Sequence, residues 1–219
     1  MGKSKYTYKD IYNGITTEEE AYWLGFITAD GYVGISAKEK SITVKLAIKD
    51  ASHLEKLARF TTEDRSPRLV KTADGRGRCV YTIGSYEIVD RMQSLGLLPG
   101  KYNRHVPSMR DDLVRHFIRG YFDGDGCITY DNRYENSVRV SLCVHDSYAD
   151  SMIVAIESVC GIKPKVYTKK NVVELSIQSR LEAICFLQAL YENSSVYLER
   201  KYNKYKEALA RGDTSANIG

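Results

Sequence analysis

Asp30 and Asp125 each close an apolar run of helical period, and each is followed at once by glycine. The runs are WLGFITADGYV from Trp23 to Val33 and FIRGYFDGDGCI from Phe117 to Ile128. A carboxylate at a helix C-terminus sits at the negative end of the macrodipole, which costs about 0.3–1 kcal/mol. Two such ends side by side add like-charge repulsion, so the pair calls for a cation between them. Hard oxygen ligands select Mg²⁺, Mn²⁺ or Ca²⁺ over zinc, and a carboxylate pair with metal-bound water suits phosphodiester hydrolysis. A single Asp-Gly implies none of this, and Ala73-Asp74-Gly75 has the spacing of a plain hairpin turn. The duplication carries the argument.

For the acids to meet, their helices must touch. Gly25 and Ala29 in the first run, and Gly120 and Gly124 in the second, lie four apart and so share one helix face. Small residues there let two backbones approach closer than the usual separation of about 8–10 Å. If the helices run roughly parallel, Asp30 and Asp125 emerge at the same end. Gly31 and Gly126 are expected to stop the helices in the left-handed conformation.

The flanking periods place these helices in a repeated order. Thr16 or Thr17 caps the first helix ahead of Glu18, Glu19 and Glu20. YVGIS and SITVKLAIK then alternate as strands, DASHLEKLARF is helical behind Asp50, PRLVK and RCVYTIG pair as strands, and SYEIVDRMQSLG is helical. After LLPGKYNRHVP the order recurs: DDLVRHFIRGYFDG, CITYDNRY with SVRVSLCVH, DSYADSMIVAIESVCG, KPKVYTKK with VVELSIQS, then SRLEAICFLQALYE. A last basic helix near Val196 to Ala210, with Lys201, Lys204 and Lys206, has no counterpart in the first half. The reading is an α+β fold, a tandem αββαββα duplication with halves at 1–106 (core 15–100) and 107–219 (core 108–210).

Bulk properties agree with a globular chain. Its 219 residues are 43% hydrophobic, enough for a full core, and 32 basic against 28 acidic residues lean mildly toward a polyanionic partner. The 17 tyrosines suit half-solvated sheets and nucleic-acid surfaces alike. Five widely spaced cysteines (Cys79, Cys127, Cys143, Cys160 and Cys185) form no CxxC pair, which argues against zinc and for a reducing compartment. His53, His105, His116 and His145 fall at unrelated positions and are expected to cap or pack. No signal-peptide pattern opens the chain and no run reaches membrane-span length, so a soluble intracellular protein is expected, not a secreted one.

WLGFITADG and IRGYFDGDG resemble the two signature motifs of the single-chain LAGLIDADG homing endonucleases, and the duplicated order resembles that fold over residues 15–210. The resemblance implies two antiparallel four-stranded sheets forming a saddle over DNA about a helical interface of Gly25, Ala29, Gly120 and Gly124. It implies a divalent metal at Asp30 and Asp125, beside Ala29 and Gly124, with Mg²⁺ as cofactor, Mn²⁺ substituting and Ca²⁺ binding without efficient cleavage. Lys101 and Lys201, which open the matched segments KYNR and KYNK, resemble the basic residues that order or polarise attacking water; the alternative is a solvated or phosphate-contacting lysine. Thr28 stands where the second motif keeps Asp123, a position expected to be structural, and Leu24 and Arg119 occupy a usually small position.

The implied activity is site-specific cleavage of double-stranded DNA by a monomer at a long site, leaving short 3′ overhangs. The alternatives are an intron-RNA maturase and a cleavage-inactive DNA-binding regulator; intein splicing is not expected. DNA-reading residues are expected on the open sheet faces: Ser36, Lys38, Lys40, Thr43, Lys45, Arg68, Lys71, Arg76 and Arg78 in the first half. Their counterparts in the second are Tyr130, Asn132, Arg133, Arg139, Lys163, Lys165, Tyr167 and Lys169.

Overall fold

The computed structural model describes residues 6–36, 39–71, 75, 77–100, 105–131 and 137–213. Helix α1 (Glu18–Asp30) begins with a reciprocal cap in which Thr17 accepts from the Glu20 amide and Glu20 reaches back to the Thr17 backbone. Glu20 also accepts from the amides of Tyr12 at 3.0 Å and Thr16 at 2.9 Å, tying the N-terminal segment to the helix start. From Glu20 to Ala29 α1 is buried on every side, the signature of a central helix. Helix α4 (Asp111–Asp125) is its equal in the second half, buried from His116 to Asp123.

Each central helix passes straight into a sheet. Strands β1 (Gly31–Ile35), β2 (Lys40–Ala47), β3 (Arg68–Lys71) and β4 (Gly77–Ile83) form an antiparallel sheet in the order β1-β2-β4-β3. Strands β5 (Gly126–Asp131), β6 (Ser137–His145), β7 (Lys165–Lys169) and β8 (Val172–Ile177) repeat it as β5-β6-β8-β7. Helices α2 (Ala51–Thr61) and α3 (Tyr86–Ser94) belong to the first half, and α5 (Asp146–Cys160), α6 (Arg180–Tyr191) and α7 (Glu199–Asp213) to the second. The tandem αββαββα order, with its extra terminal helix, is therefore the observed α+β fold.

Strand phase decides which side chains face the core. Ile42, Val44 and Leu46 of β2 pair with Ile83, Tyr81 and Cys79 of β4, and all six are buried beneath the helices. In the second half Val140, Leu142 and Val144 pair with Ile177, Leu175 and Val173 in the same way. The intervening residues form the open face of each sheet.

Gly31 and Gly126 are not left-handed. Both are extended, with φ −83° and −88°. Glycine is needed for space instead: a Cβ at Gly31 would lie 2.4 Å from the Ile27 carbonyl oxygen, and one at Gly126 2.2 Å from the Phe122 ring. The five cysteines are free thiols. His53 and His116 are buried and His145 caps α5, while Asp50 makes no cap hydrogen bond and pairs with Arg200 at 3.1 Å.

Candidate metal centre and nucleic-acid interface

The two central helices meet through their glycines. A Cβ on Gly25 would stand 2.1 Å from the Phe117 carbonyl oxygen, and one on Gly120 1.9 Å from that of Tyr22. Further along, a Cβ on Gly124 would meet the Ala29 Cβ at 2.6 Å and the Asp30 carboxyl at 3.5 Å. Contacts that advance together, from Tyr22 with Gly120 to Ala29 with Gly124, mean parallel helices. The Asp30 carboxyl thus packs against the residue preceding Asp125, Asp30 exposed and Asp125 half-buried.

Among the described residues no group of three or more His, Cys, Asp or Glu side chains gathers as a metal cage. Two carboxylates at adjoining helix ends nonetheless fit a Mg²⁺-type ion, which commonly takes one or two protein carboxylates and completes its shell with water and phosphate oxygens.

Lys201 lies close by but is neither solvated nor open to solvent water. It is 3% exposed, and its ammonium donates to the Phe122 carbonyl and, at 2.6 Å, to the Gly126 carbonyl, bracketing the end of α4. Burial lowers its pKa to about 8 against the opposing attraction of Asp123, with Arg200 pushing the same way as burial and Asp30 a weaker attraction. Lys101 falls outside the described residues.

The two motifs differ two residues back from the tip. Thr28 simply returns its hydroxyl to the Leu24 carbonyl at 2.7 Å. Asp123 is fully buried and accepts from the Tyr191 hydroxyl at 2.5 Å, the Tyr22 hydroxyl at 2.6 Å and the Leu198 amide at 2.7 Å. Burial raises its pKa, while Lys201 and the three donors oppose that rise. Arg119, also fully buried, donates to the carbonyls of Val196 and Leu190 at 2.9 Å and to Glu18 at 2.6 Å. These groups bind the segment after α6 to both central helices, and nothing in the local sequence of either motif announces them.

The open faces can be read from the register. In the first sheet Thr43, Lys45, Thr82, Val80, Arg78 and Arg68 share that face with Tyr32 and Ser41. In the second, Thr129, Arg139, Ser141, Cys143, Ser176, Glu174, Lys165 and Tyr167 do so. Of the expected readers, Thr43, Lys45, Arg68, Arg78, Arg139, Lys165 and Tyr167 therefore have open-face phase, and the side chain of Lys169, at the end of β7, lies outside the described residues. Ser36 lies just beyond β1, its hydroxyl accepting from the Glu39 amide at 3.0 Å.

Three expected readers do not. Lys40 pairs with Ile35 on the helix side and meets Asp90 of α3 at 2.5 Å. Tyr130 pairs with buried Val138, donates to the Lys204 carbonyl at 2.6 Å and carries Arg211 over its ring. Lys71 has the phase of Leu69 and Cys79, away from the open face, although it is exposed at the sheet edge. Lys163 is exposed but precedes β7. Lys38, Arg76, Asn132 and Arg133 fall outside the described residues. The strand phase anchored by Ile42 and Val140 would have found Tyr32, Ser41, Thr82, Ser141 and Ser176 on the open faces; a search for cations passes over them.

Residues 112–190 match the family model of the LAGLIDADG-like domain. Across both halves the chain superposes on the I-LtrWI LAGLIDADG homing endonuclease bound to target DNA (TM-score 0.62, 12% identity, 92% of each chain covered). It superposes similarly on LAGLIDADG homing endonuclease I-GzeII in complex with its DNA target (TM-score 0.61, 11% identity, 91% of this chain and 92% of that one). Full-length DUF199/WhiA from Thermatoga maritima shares the fold at TM-score 0.55 and 18% identity, over 91% of this chain and 63% of that one. In sequence, a replication factor C small subunit of Methanocaldococcus jannaschii is 26% identical over 200 residues, which are 88% of this chain. The chain spans 10% of that protein's length. No helix among the described residues is long and apolar enough to cross a membrane. The chain carries a LAGLIDADG-like domain in its second half and, across both halves, the fold of the single-chain LAGLIDADG homing endonucleases.

Proposed function

We propose that this protein is a divalent-metal-dependent, site-specific endonuclease of double-stranded DNA, acting as a monomer and leaving short 3′ overhangs. The observation that carries the reading is the glycine contact that sets Asp30 against Gly124 beside Asp125 at the end of two parallel helices. Two crowded acids at negative dipole ends are an electrostatic cost that a pure binding protein has no use for. The similar structures in complex with DNA support a duplex as the partner.

Asp30 and Asp125, with Ala29 and Gly124 beside them, would hold the metal, Mg²⁺ by preference and Mn²⁺ in its place. A hard divalent ion bound there supplies an activated water and neutralises charge building on the leaving oxygen. The open faces supply sequence selection through Lys45, Arg68, Arg78, Arg139 and Lys165 and their hydroxyl neighbours. Lys201 anchors the backbone that presents Asp125; water-ordering by Lys101 remains part of the proposal.

The test is a pool of duplexes randomised over a long window, incubated with the protein in Mg²⁺, in Ca²⁺ and in chelator. Enrichment of one sequence, cut on both strands in Mg²⁺ alone, supports the enzyme. Tight selection with no cutting in Mg²⁺ or Mn²⁺ supports a DNA-binding regulator instead, and selection of structured RNA over any duplex supports a maturase.

A further inference from the structure

The two open faces are related by the duplication, yet the rows leading away from the acids carry opposite charge. In the first half the row after Asp30 is Lys45, Val80 and Arg68, since Lys45 pairs with Val80 and Val80 with Arg68. In the second half the row after Asp125 is Cys143, Glu174 and Tyr167, by the matching pairs. Glu174 thus occupies the position of Val80, two strands from the carboxylate tip, or roughly 10 Å at the usual strand spacing. The Cys143 thiol between them feels both acids: burial raises its pKa first, and the charges of Glu174 and Asp125 add to the rise.

Glu174 is exposed, and among the described residues no hydrogen bond or ion pair engages its carboxylate. A bare carboxylate on a face meant for a polyanion repels every phosphate it approaches. A base edge that offers it a donor turns that cost into a selective contact. In the major groove two bases present exocyclic amino groups, cytosine and adenine. Adenine places its N7 acceptor beside the amino group, where it would oppose a second carboxylate oxygen. Cytosine has a C–H there, so a carboxylate meets a donor with no adjacent lone pair. Tyr167, directly opposite on β7, walls one side of the position, and Ser176 and Lys165 in the next row supply neutral and cationic neighbours.

We infer that Glu174 is a specificity-determining residue that selects a cytosine in the half-site bound by the second sheet, at a position whose counterpart in the other half-site faces apolar Val80. The inference rests on the proposed DNA-cleaving function.

The experiment is the same randomised duplex pool selected in parallel by wild type and Glu174→Gln, with melting temperature checked for both. Wild type should enrich cytosine at one position on one side of the cut. E174Q should lose that preference by roughly tenfold to a hundredfold and move toward adenine, which glutamine contacts in a bidentate manner, leaving other positions unchanged. Identical base preferences for the two proteins would overturn the inference. So would a uniform gain in affinity or a uniform loss of cleavage across all sequences, since either assigns Glu174 to phosphate repulsion or to the metal centre. If wild type enriches no sequence at all, the proposed function itself fails and takes this inference with it.

Discussion

A single proton count fixes the chemistry of the buried chain His53, Tyr22, Asp123. The Tyr22 hydroxyl has one hydrogen and gives it to Asp123 at 2.6 Å, so the 3.0 Å contact with His53 Nε2 requires that nitrogen to be the donor. The remaining ring nitrogen, Nδ1, is buried without a partner, and a second proton there would have nowhere to bond. Burial accordingly lowers the His53 pKa to about 3, helped by Lys56 and Arg200. Because the folded value lies below the unfolded one, this contribution to stability is complete above the unfolded pKa, near 6.5, and is lost as pH falls toward 3. His116, lowered to about 4 chiefly by burial and Arg119, acts in the same direction. Denaturant titrations should show stability falling by on the order of 1–2 kcal/mol per pH unit below pH 6, with His53→Phe reducing that slope. A flat profile from pH 7 to 4.5 would contradict the assignment. Asp123 was legible as structural from its place in the motif. Its partners were not, because Tyr22, Tyr191 and Leu198 lie 101, 68 and 75 residues away in sequence.

The glycine contact between α1 and α4 was the most legible feature of the chain. Four-residue spacing of Gly25 with Ala29 and Gly120 with Gly124 defines a face from sequence alone, and the structure puts backbone against backbone there. Gly25→Ala and Gly120→Ala each force a methyl into a facing carbonyl that cannot retreat without separating the halves. Each should cost about 3 kcal/mol or more and lower the melting temperature by roughly 6–12 °C. A shift under about 2 °C in a thermal melt would mean the helices do not touch. Strand faces were less legible. Residue type puts Lys40, Lys71 and Tyr130 on the reading face, whereas register alone decides, and one step of phase moves a side chain through the sheet. Gly31 and Gly126 looked like left-handed caps because the sequence shows the glycine but not the Ile27 and Phe122 atoms that exclude a side chain.

At the scale of the molecule, α7 and the segment before it join the halves a second time. Arg200 reaches Asp50 at 3.1 Å and Lys56 reaches Glu199 at 3.3 Å across the halves, while within the second half Lys201 and Lys204 hold carbonyls of Phe122, Gly126 and Ile128 and so dock α7 on the end of α4. These contacts differ in energetic weight. Lys201→Met leaves two inward carbonyls without their donor and should cost about 2–4 kcal/mol, visible as a melting temperature lower by roughly 5–15 °C. Arg200→Ala removes a half-exposed guanidinium from the buried Asp50 carboxylate and should cost about 1–2 kcal/mol, less than Lys201→Met. Equal effects of the two would remove the bracing role assigned to Lys201. The sequence marked this helix as an addition without a counterpart, but its docking depends on carbonyls, which no residue type reveals.

The central claim is that two helix tips act together on one duplex, and strand-resolved cleavage tests it most directly. With a selected target labelled on each strand, cutting in Mg²⁺ would be compared for wild type, Asp30→Asn and Asp125→Asn, alongside the Kd for the same duplex in Ca²⁺. Either substitution should slow cutting by at least about a hundredfold while changing Kd by less than about threefold, the equivalent of about 2.7 kcal/mol in the reaction barrier against 0.7 kcal/mol in binding. Wild-type cutting of both strands by either variant would contradict it.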